Sequence, residues 1–535
     1  MILVPQFRGL VKRVEPGELS PEFATLAENC WFENGGVGPM RQPRFVVDLE
    51  KTNVKTIYRF GQQLDSETQW WFHWDKVVDV VKGQVAGDTE EATFWTGDGP
   101  PRFTTASLGT AGTNYPAVGR LLGLPPPVTA PTVTAVAETS SSTTTVRRKY
   151  AYTLVGNVGF MERESQPSPL ATIDVVTNQH VALSNLATTS TNGEPVTARR
   201  IYRAEAGALI FVAEIGDTGT SFTDSVPSEN LVGNGELPSM NWAPPPDDLE
   251  NLVNLPNGMA AGSSGIDVWL CEPYRPYAWA NSYAVDHKIV ALAPFAQSVA
   301  VLTTGTPYVL SGVDPSAMTT EASKFVQPCV SKRSVWTTGD DVFFAGTDGL
   351  CMIGSSAPAI MTADIFTPEQ WRSLRPETMV GVVHQGHYIG TYDPGTGRRG
   401  FALHLPSRSW TELPSFSATA FFKDRSGKLF CCINDEVHEF RGSSALWTGR
   451  WRSKVFRTID KTFVASRVVA PAYPVTQRVY TDGVLTDTIA VQDSTPFKLP
   501  QAQGTTWQIE VEFDRLVQPP LVLADTMDDA YARKT

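Results

Sequence analysis

Along this chain of 535 residues, apolar positions recur with a period of two or in short unbroken runs, which predicts strands rather than helices. Trp507, Ile509, Val511 and Phe513 alternate with Gln508, Glu510, Glu512 and Asp514. That alternation predicts a half-exposed strand with one oily and one polar face. Val299-Ala-Val-Leu302 and Val342-Phe-Phe-Ala345 are continuous instead and predict strands buried on both faces. Asx-Gly pairs recur through the pattern, among them Asn34-Gly35, Asp98-Gly99, Asn192-Gly193, Asp348-Gly349 and Asp482-Gly483. Each supplies the positive φ that type I′ hairpin turns require. Helix signals are rare. In residues 367–375, Thr367 caps, Pro368 suits the first helical position, Gln370 completes a capping box, and Pro376 ends the helix. A second short helix is expected over residues 21–30.

Two proline-rich joints, Leu124-Pro-Pro-Pro127 and Pro244-Pro-Pro246, divide the chain. The segment between them has the length and turn spacing of an immunoglobulin-like sandwich. Its expected strands are 149–155, 180–183, 200–203, 209–212 and 220–223. Outside it, strand clusters near 55–80, 289–312, 335–354, 379–410 and 417–440 each read as a short meander, as propeller blades do. The expected fold is therefore mainly β: a β-propeller-like platform with an inserted immunoglobulin-like β-sandwich. Several packed sheets are the alternative. The expected divisions are residues 1–127 and 244–456 for the platform, 128–243 for the insert, and 457–535 for a β-rich segment that completes the platform or contacts neighbouring subunits.

Composition narrows the class without naming a chemistry. The 42 glycines and 39 prolines fit a turn-rich β protein. A net charge of −12 argues against a protein that grips nucleic acid, which needs clustered cations, but not against one that DNA slides past. The six cysteines include no Cys-x-x-Cys pair and are expected to be reduced and buried. Residues 1–5 are too short for a secretory h-region before Arg8, Lys12 and Arg13, so no leader is expected. No run approaches the ~18 apolar residues of a membrane-spanning helix.

A search for catalytic groupings assigns no catalytic, cofactor-binding or metal-binding residue. His384-Gln-Gly-His387 is the tight histidine pair, but its flanks predict a hairpin, where spacing three is expected to put the rings on opposite faces. Gly262-Ser-Ser-Gly265 lacks the form of a nucleophile elbow. Asp247 and Asp248 read as a solvated joint, and Lys423-Asp-Arg-Ser-Gly427 only distantly approaches the repeated turn of sialidase propellers. Trp70-Trp-Phe-His-Trp74 reads as core and interface. Arg147-Arg148-Lys149 and the set Arg450, Arg452 and Lys454 are the main basic groups, expected at the surface or at subunit contacts.

An ordered series of motifs carries a resemblance. It runs from Leu255-Pro-Asn-Gly258 through Gly262-Ser-Ser-Gly-Ile-Asp-Val-Trp-Leu-Cys271 and Glu272-Pro-Tyr-Arg-Pro-Tyr-Ala-Trp279 to Lys288-Ile-Val-Ala-Leu292. Ala300-Val-Leu-Thr-Thr-Gly-Thr-Pro-Tyr308, Gly312-Val-Asp-Pro315, Cys329-Val-Ser331 and Ala345-Gly-Thr-Asp-Gly-Leu350 follow. Near the start stand Ala27-Glu-Asn-Cys-Trp-Phe-Glu-Asn-Gly35 and Gly38-Pro-Met-Arg41, and towards the end Trp451-Arg-Ser-Lys-Val-Phe456. In this order they resemble the tail nozzle proteins of short-tailed bacteriophages, also called tail tubular protein B or phage stabilisation proteins. Ala280, where that family has Pro, and Tyr277, where it often has His, depart from the pattern. The resemblance implies a virion structural protein in the tail, assembled in the host cytoplasm. It implies a homo-oligomeric ring, usually a hexamer, below the portal-adaptor ring and near tail fibres or spikes. Double-stranded DNA would pass through its lumen during ejection without specific binding. The alternatives are a host-surface or fibre-docking adhesin and a propeller-type glycan depolymerase.

Overall fold

Asn34-Gly35 and Asp482-Gly483 close two-residue hairpins, with Glu33 opposite Gly36 and Thr481 opposite Val484. Their φ values of 50° and 78°, and 49° and 78°, are those of the expected type I′ turn. Asp98-Gly99 and Asp348-Gly349 lie in longer hairpin loops, whereas Asn192-Gly193 joins strands of two different sheets. The computed structural model describes residues 1–61, 66–137, 139–159 and 161–531. It is nearly all β, with 47% strand and 5% helix. The chain forms two units, Met1–Asp75 with Ala300–Pro307 and Ala322–Thr535, and Lys76–Val299 with Tyr308–Glu321.

In the first unit, four-stranded antiparallel meanders follow one another as propeller blades do. One comprises Trp336–Thr337, Asp341–Ala345, Leu350–Gly354 and Ala359–Ile360. The next comprises Val380–His384, His387–Tyr392, Arg399–His404 and Ser409–Leu413. A third comprises Ala420–Lys423, Leu429–Ile433 and Glu436–Glu439, and its fourth strand is Arg44–Asp48 from near the start of the chain. The two-stranded sheet Thr56–Arg59 and Trp71–Trp74 follows. First strands lie side by side, Trp336–Thr337 beside Val380–His384, then Ala420–Lys423, then Thr56–Arg59. Trp71, Phe422, Phe430 and Val437 pack between the last two sheets, so the tryptophan-rich segment is core. Residues 342–345 are buried throughout, as their unbroken apolar run requires.

The same unit carries a second pair of sheets. Ile2–Val4, Gln518–Ala524, Ala465–Val469 and Phe497–Lys498 form one. Gly449–Ser453, Gln503–Phe513, Val475–Thr481 and Val484–Val491 belong to the other, and Val468, Val479, Ile509, Val511 and Leu521 fill a shared core. The expected division at residue 457 therefore falls inside this sheet, which begins at Gly449. Ala24–Glu28 joins it to the blade ending in Ser409–Leu413. The helix expected over residues 21–30 is thus a strand. Ala24 and Ala27 are fully buried between two strands, and non-local pairing overrides a weak local preference. The helix Pro368–Ser373 does form, with Thr367 accepting from the Gln370 N–H and the Gln370 side chain accepting from the Thr367 N–H.

The second unit holds the meander Asp79–Lys82, Thr93–Thr96, Arg102–Thr104 and Arg120–Leu121, then Glu250–Asn254, Ala260–Ser264, Asp267–Glu272 and Arg275–Ala284. Asp79–Lys82 lies beside Glu250–Asn254, which lies beside Ile289–Phe295. The insert leaves between these two blades. Thr132–Ala135, Val181–Ser184 and Phe222–Asp224 form one of its sheets; Met161–Glu164, Ala171–Val176, Thr145–Val158, Ala198–Glu205 and Ala208–Gly216 form the other. Tyr150, Tyr152, Leu183 and Ile201 fill the space between them, completing an immunoglobulin-like sandwich.

The joints are more than hinges. A Cβ on Gly123 would sit 2.6 Å from Pro244, so entry and exit run in contact. Leu124 is 2% exposed within the sandwich core. Arg163, fully buried, pairs with Glu194 at 3.0 Å and donates to the Leu121 carbonyl at 2.7 Å. Glu194 accepts the Leu121 N–H at 2.9 Å. Burial lowers the Arg163 pKa and the Glu194 charge opposes that shift, so the cation depends on its partner. Two outcomes are expected by chemical denaturation. A fragment starting near residue 118 and ending at 243 unfolds cooperatively and is more stable by about 2–4 kcal/mol than residues 128–243, which lack Leu124 and the Leu121 clamp. In the full chain, Glu194→Ala strands a buried cation and costs the insert about 3–5 kcal/mol. Equal stability of the two fragments, or a neutral Glu194→Ala, counts against this account of the joint.

Candidate functional site

Gln385 and Gly386, at φ 47° and 72°, form the turn between Val380–His384 and His387–Tyr392. His384 is therefore directly opposite His387. The expectation of opposite faces fails for a geometric reason. Across a two-residue turn, positions i and i+3 are cross-strand partners, and such partners share a face. His387 stacks on Trp31 with ring centroids 3.8 Å apart and 22° between planes. The Arg441 guanidinium lies 3.7 Å from the same centroid. Two groups that close cannot share one face, so Trp31 is held between them. His404 stands 4.7 Å from His387 and meets the Ser407 hydroxyl through Nδ1 at 2.7 Å.

These imidazoles are uncharged at neutral pH. His384 is 7% and His387 5% exposed. Burial, with Lys423 and Arg441 nearby, pushes His384 down to about 4. Burial also takes His387 to about 4, against the Gln385 carbonyl contact and with His404, Arg441 and His384 adding to the fall. Nδ1 of His384 and Nε2 of His387 have no hydrogen-bond partner. Among the described residues, no group of three or more His, Cys, Asp or Glu is placed to hold a metal ion.

Beside the hairpin lies a polar pocket of about 530 Å³, lined by Glu33, Arg41, His384, Ser426, Glu439 and Arg441 among others. Glu439 is already neutralised, accepting from Arg44 Nε at 2.8 Å with Lys428 at 3.7 Å. Lys428 also pairs with Glu67. Glu33 accepts the Trp31 indole N–H at 2.6 Å. In the second unit an apolar cavity of about 340 Å³ is walled by Phe94, Met161, Leu252, Cys271, Tyr274 and Tyr277. Burial raises Cys271 to about 12, so its wall carries a thiol and not a thiolate.

The remaining sequence candidates serve structure. Ser263 accepts from Asn251 at 2.7 Å, and Ser264 donates to Asp248 at 2.8 Å, so the Gly-Ser-Ser-Gly stretch and the acidic joint brace each other. Asp424 accepts the Lys428 N–H at 2.8 Å and holds its own hairpin. Arg147 pairs with Asp174 at 2.9 Å, and Arg148 is buried against the Gln179 carbonyl at 2.8 Å. Arg450 and Arg452 contact the fully buried Glu510 at 3.2 and 2.6 Å, with Arg478 at 3.0 Å. Burial raises the Glu510 carboxyl, but its hydrogen bond to Arg452 and the charges of Arg452 and Arg450 outweigh it, leaving it below the usual value. All six cysteines are free and buried.

No family model matches the chain, and no curated protein matches it. Among solved structures, BamB from Moraxella catarrhalis is 10% identical over 83% of this chain and 99% of its own, with a TM-score of 0.32. AztD from Citrobacter koseri is 14% identical over 67% and 99%, with a TM-score of 0.26. An exo-β-1,3-galactanase from Phanerochaete chrysosporium is 9% identical over 62% and 99%, with a TM-score of 0.16. At these values the fold assignment rests on the chain's own sheet topology.

The histidines set an acid limit. Unfolded, they titrate near ~6.5, but folded only near about 4, so between those values the unfolded chain holds more protons. Their contribution is full above about pH 6.5 and is lost as pH falls towards 4. Thermal melting across this window is expected to show a loss of about 3 kcal/mol per histidine, flattened in the His384→Phe/His387→Phe double variant. Parallel curves for the two proteins would refute it.

Proposed function

We propose that this chain is a structural subunit of a ring-shaped tail nozzle in a short-tailed phage, a conduit that retains the genome and lets it leave. One observation carries the reading: the residues of the nozzle-like motif series occupy positions that backbone geometry and packing demand. Asn257 and Gly258 turn the chain at φ 64° and 76°, and a Cβ on Gly258 would lie 2.6 Å from the Tyr274 ring. Gly262 faces Leu249, where a Cβ would stand at 2.8 Å. Trp279 is fully buried and donates to the Pro276 carbonyl at 2.6 Å. A Cβ on Gly346 would meet the Cys351 sulfur at 2.6 Å, and one on Gly349 would meet Ile360 at 2.3 Å. Trp451, also fully buried, donates to the Arg8 carbonyl at 2.8 Å. A motif series made of such positions preserves a shape, as a scaffold subunit requires.

The electrostatics agree with a passage that DNA slides through. Duplex DNA carries a charge every ~1.7 Å, and a wall of free cations would hold it at each step. Here Arg147, Arg450, Arg452 and Arg478 are each paired with a carboxylate of the same fold. Among the described residues no helix is long and apolar enough to cross a membrane. Electron microscopy of the purified chain, alone and with a portal-adaptor ring, is expected to show closed rings with a central lumen that is acidic or neutral. A strict monomer under both conditions removes the nozzle reading. A continuous Lys/Arg lining would leave the ring and reverse the electrostatic argument.

A further inference from the structure

The apolar cavity of about 340 Å³ in the second unit is walled by the insert together with both blades that flank it. Met161 comes from the insert, Phe94 from the blade before it, and Leu252, Cys271 and Tyr277 from the blade after it. None of these five is more than 8% exposed. With Tyr274 the wall carries three aromatic rings and two sulfur atoms. Rings and polarisable sulfur both make their best contacts with another aromatic ring. The polar groups in the lining are already engaged. Asp88 accepts the Glu90 and Ala92 N–H groups at 2.9 and 2.8 Å, and Glu162 pairs with Arg200 at 2.9 Å. Gln84 donates to the Leu255 carbonyl at 2.9 Å and Asn254 to the Lys82 carbonyl at 2.7 Å. The Arg275 guanidinium lies 4.7 Å from the centroid of the Trp242 ring. An occupant is therefore offered apolar contact rather than charge.

Tyr274 lines the cavity yet is 55% exposed, which puts it at the opening. Its backbone is held at φ 60°, an outlying conformation for a bulky residue. The Tyr274 N–H donates to the Gly258 carbonyl at 2.8 Å, and the missing Cβ of Gly258 leaves room for the ring. Strain of this kind persists where the surrounding structure imposes it, and it clusters at ligand clamps. We propose that the cavity binds a small uncharged aromatic molecule, with the Tyr274 ring as its outer wall. The volume lies at the low end of the range for small organic ligands. An occupant touches Met161 of the insert and both blades at once, so it ties the root of the insert to the sheets on either side. This goes beyond the scaffold role and does not rest on it.

Isothermal titration of the full chain with indole, and in a second arm with cyclohexanol, tests the site. Saturable binding of indole is expected, about tenfold tighter than cyclohexanol. Excess indole should also raise the melting temperature, because it binds the folded chain and not the unfolded one. Tyr274→Gly removes an exposed ring at a φ that glycine adopts freely. It should weaken indole binding about fivefold or more with little change in the melting temperature of the free chain. Ala260→Leu, which adds bulk to the cavity wall, should abolish binding. Equal affinity for cyclohexanol overturns the aromatic class. No saturable binding of indole, or binding that survives both Tyr274→Gly and Ala260→Leu, overturns the site.

Discussion

The pairing of Arg44–Asp48 with Glu436–Glu439 is the contact on which the first unit most depends. Without it the blade beginning at Ala420 would end in an open strand, a row of unpaired N–H and C=O groups prone to mispairing. Ala24–Glu28 does the same work between Ser409–Leu413 and Gly449–Ser453, and Ile2–Val4 pairs with Gln518–Ala524. Three early strands thus complete sheets built from the far end of the chain. Loop closure over such separations must precede the contacts that reward it, which makes pairings of this kind intrinsically slow to form. It also explains why the first unit gathers segments from both ends of the sequence.

Charge burial follows from the same architecture. Sheets that are covered on both faces take polar side chains inside with them, and those groups must bring partners. Arg203 and Asp224 are both fully buried and paired, with Tyr150 donating to Asp224 at 2.7 Å. Glu510 collects three guanidinium groups from neighbouring strands. Arginine suits this work better than lysine, because its planar fork makes several bonds from one fixed geometry. Such networks need not stabilise more than an apolar core would, but removing one partner is costly. They give register: a slip of one residue in Gln503–Phe513 would turn Glu510 away from its arginines and Ile509 out of the core.

How much of this was legible depends on how far each feature's causes lie along the chain. The capping box at Thr367 and Gln370 is local, and the helix forms as read. The alternation at 507–513 located a strand but misjudged its polar face. Glu510 is buried because Arg450, Arg452 and Arg478 arrive from other strands, which no window of sequence reveals. The strand Ala24–Glu28 was missed for the same reason. The histidine pair was a different kind of miss. Gln385-Gly386 already implied a two-residue turn, and with it two rings on one face, whereas Trp31 and Arg441 were not visible as their neighbours. The two cavities were not foreseen, since their walls come from separate meanders.

Arg41 stands apart from the other motif residues. It ends the early motif Gly38-Pro-Met-Arg41, yet it differs from Gly258, Gly262, Trp279 and Trp451, which are held by close approach or full burial. Its side chain is exposed at the rim of the polar pocket. Trp31, from the preceding motif, forms the floor on which Arg441 lies. A residue kept only for shape should be enclosed by what it shapes. Arg41 is therefore set apart from the packed motif positions, and it shares the wall of that pocket with the carboxylates of Glu33 and Glu439. The fold thus spends most of its distinctive residues on holding sheets together.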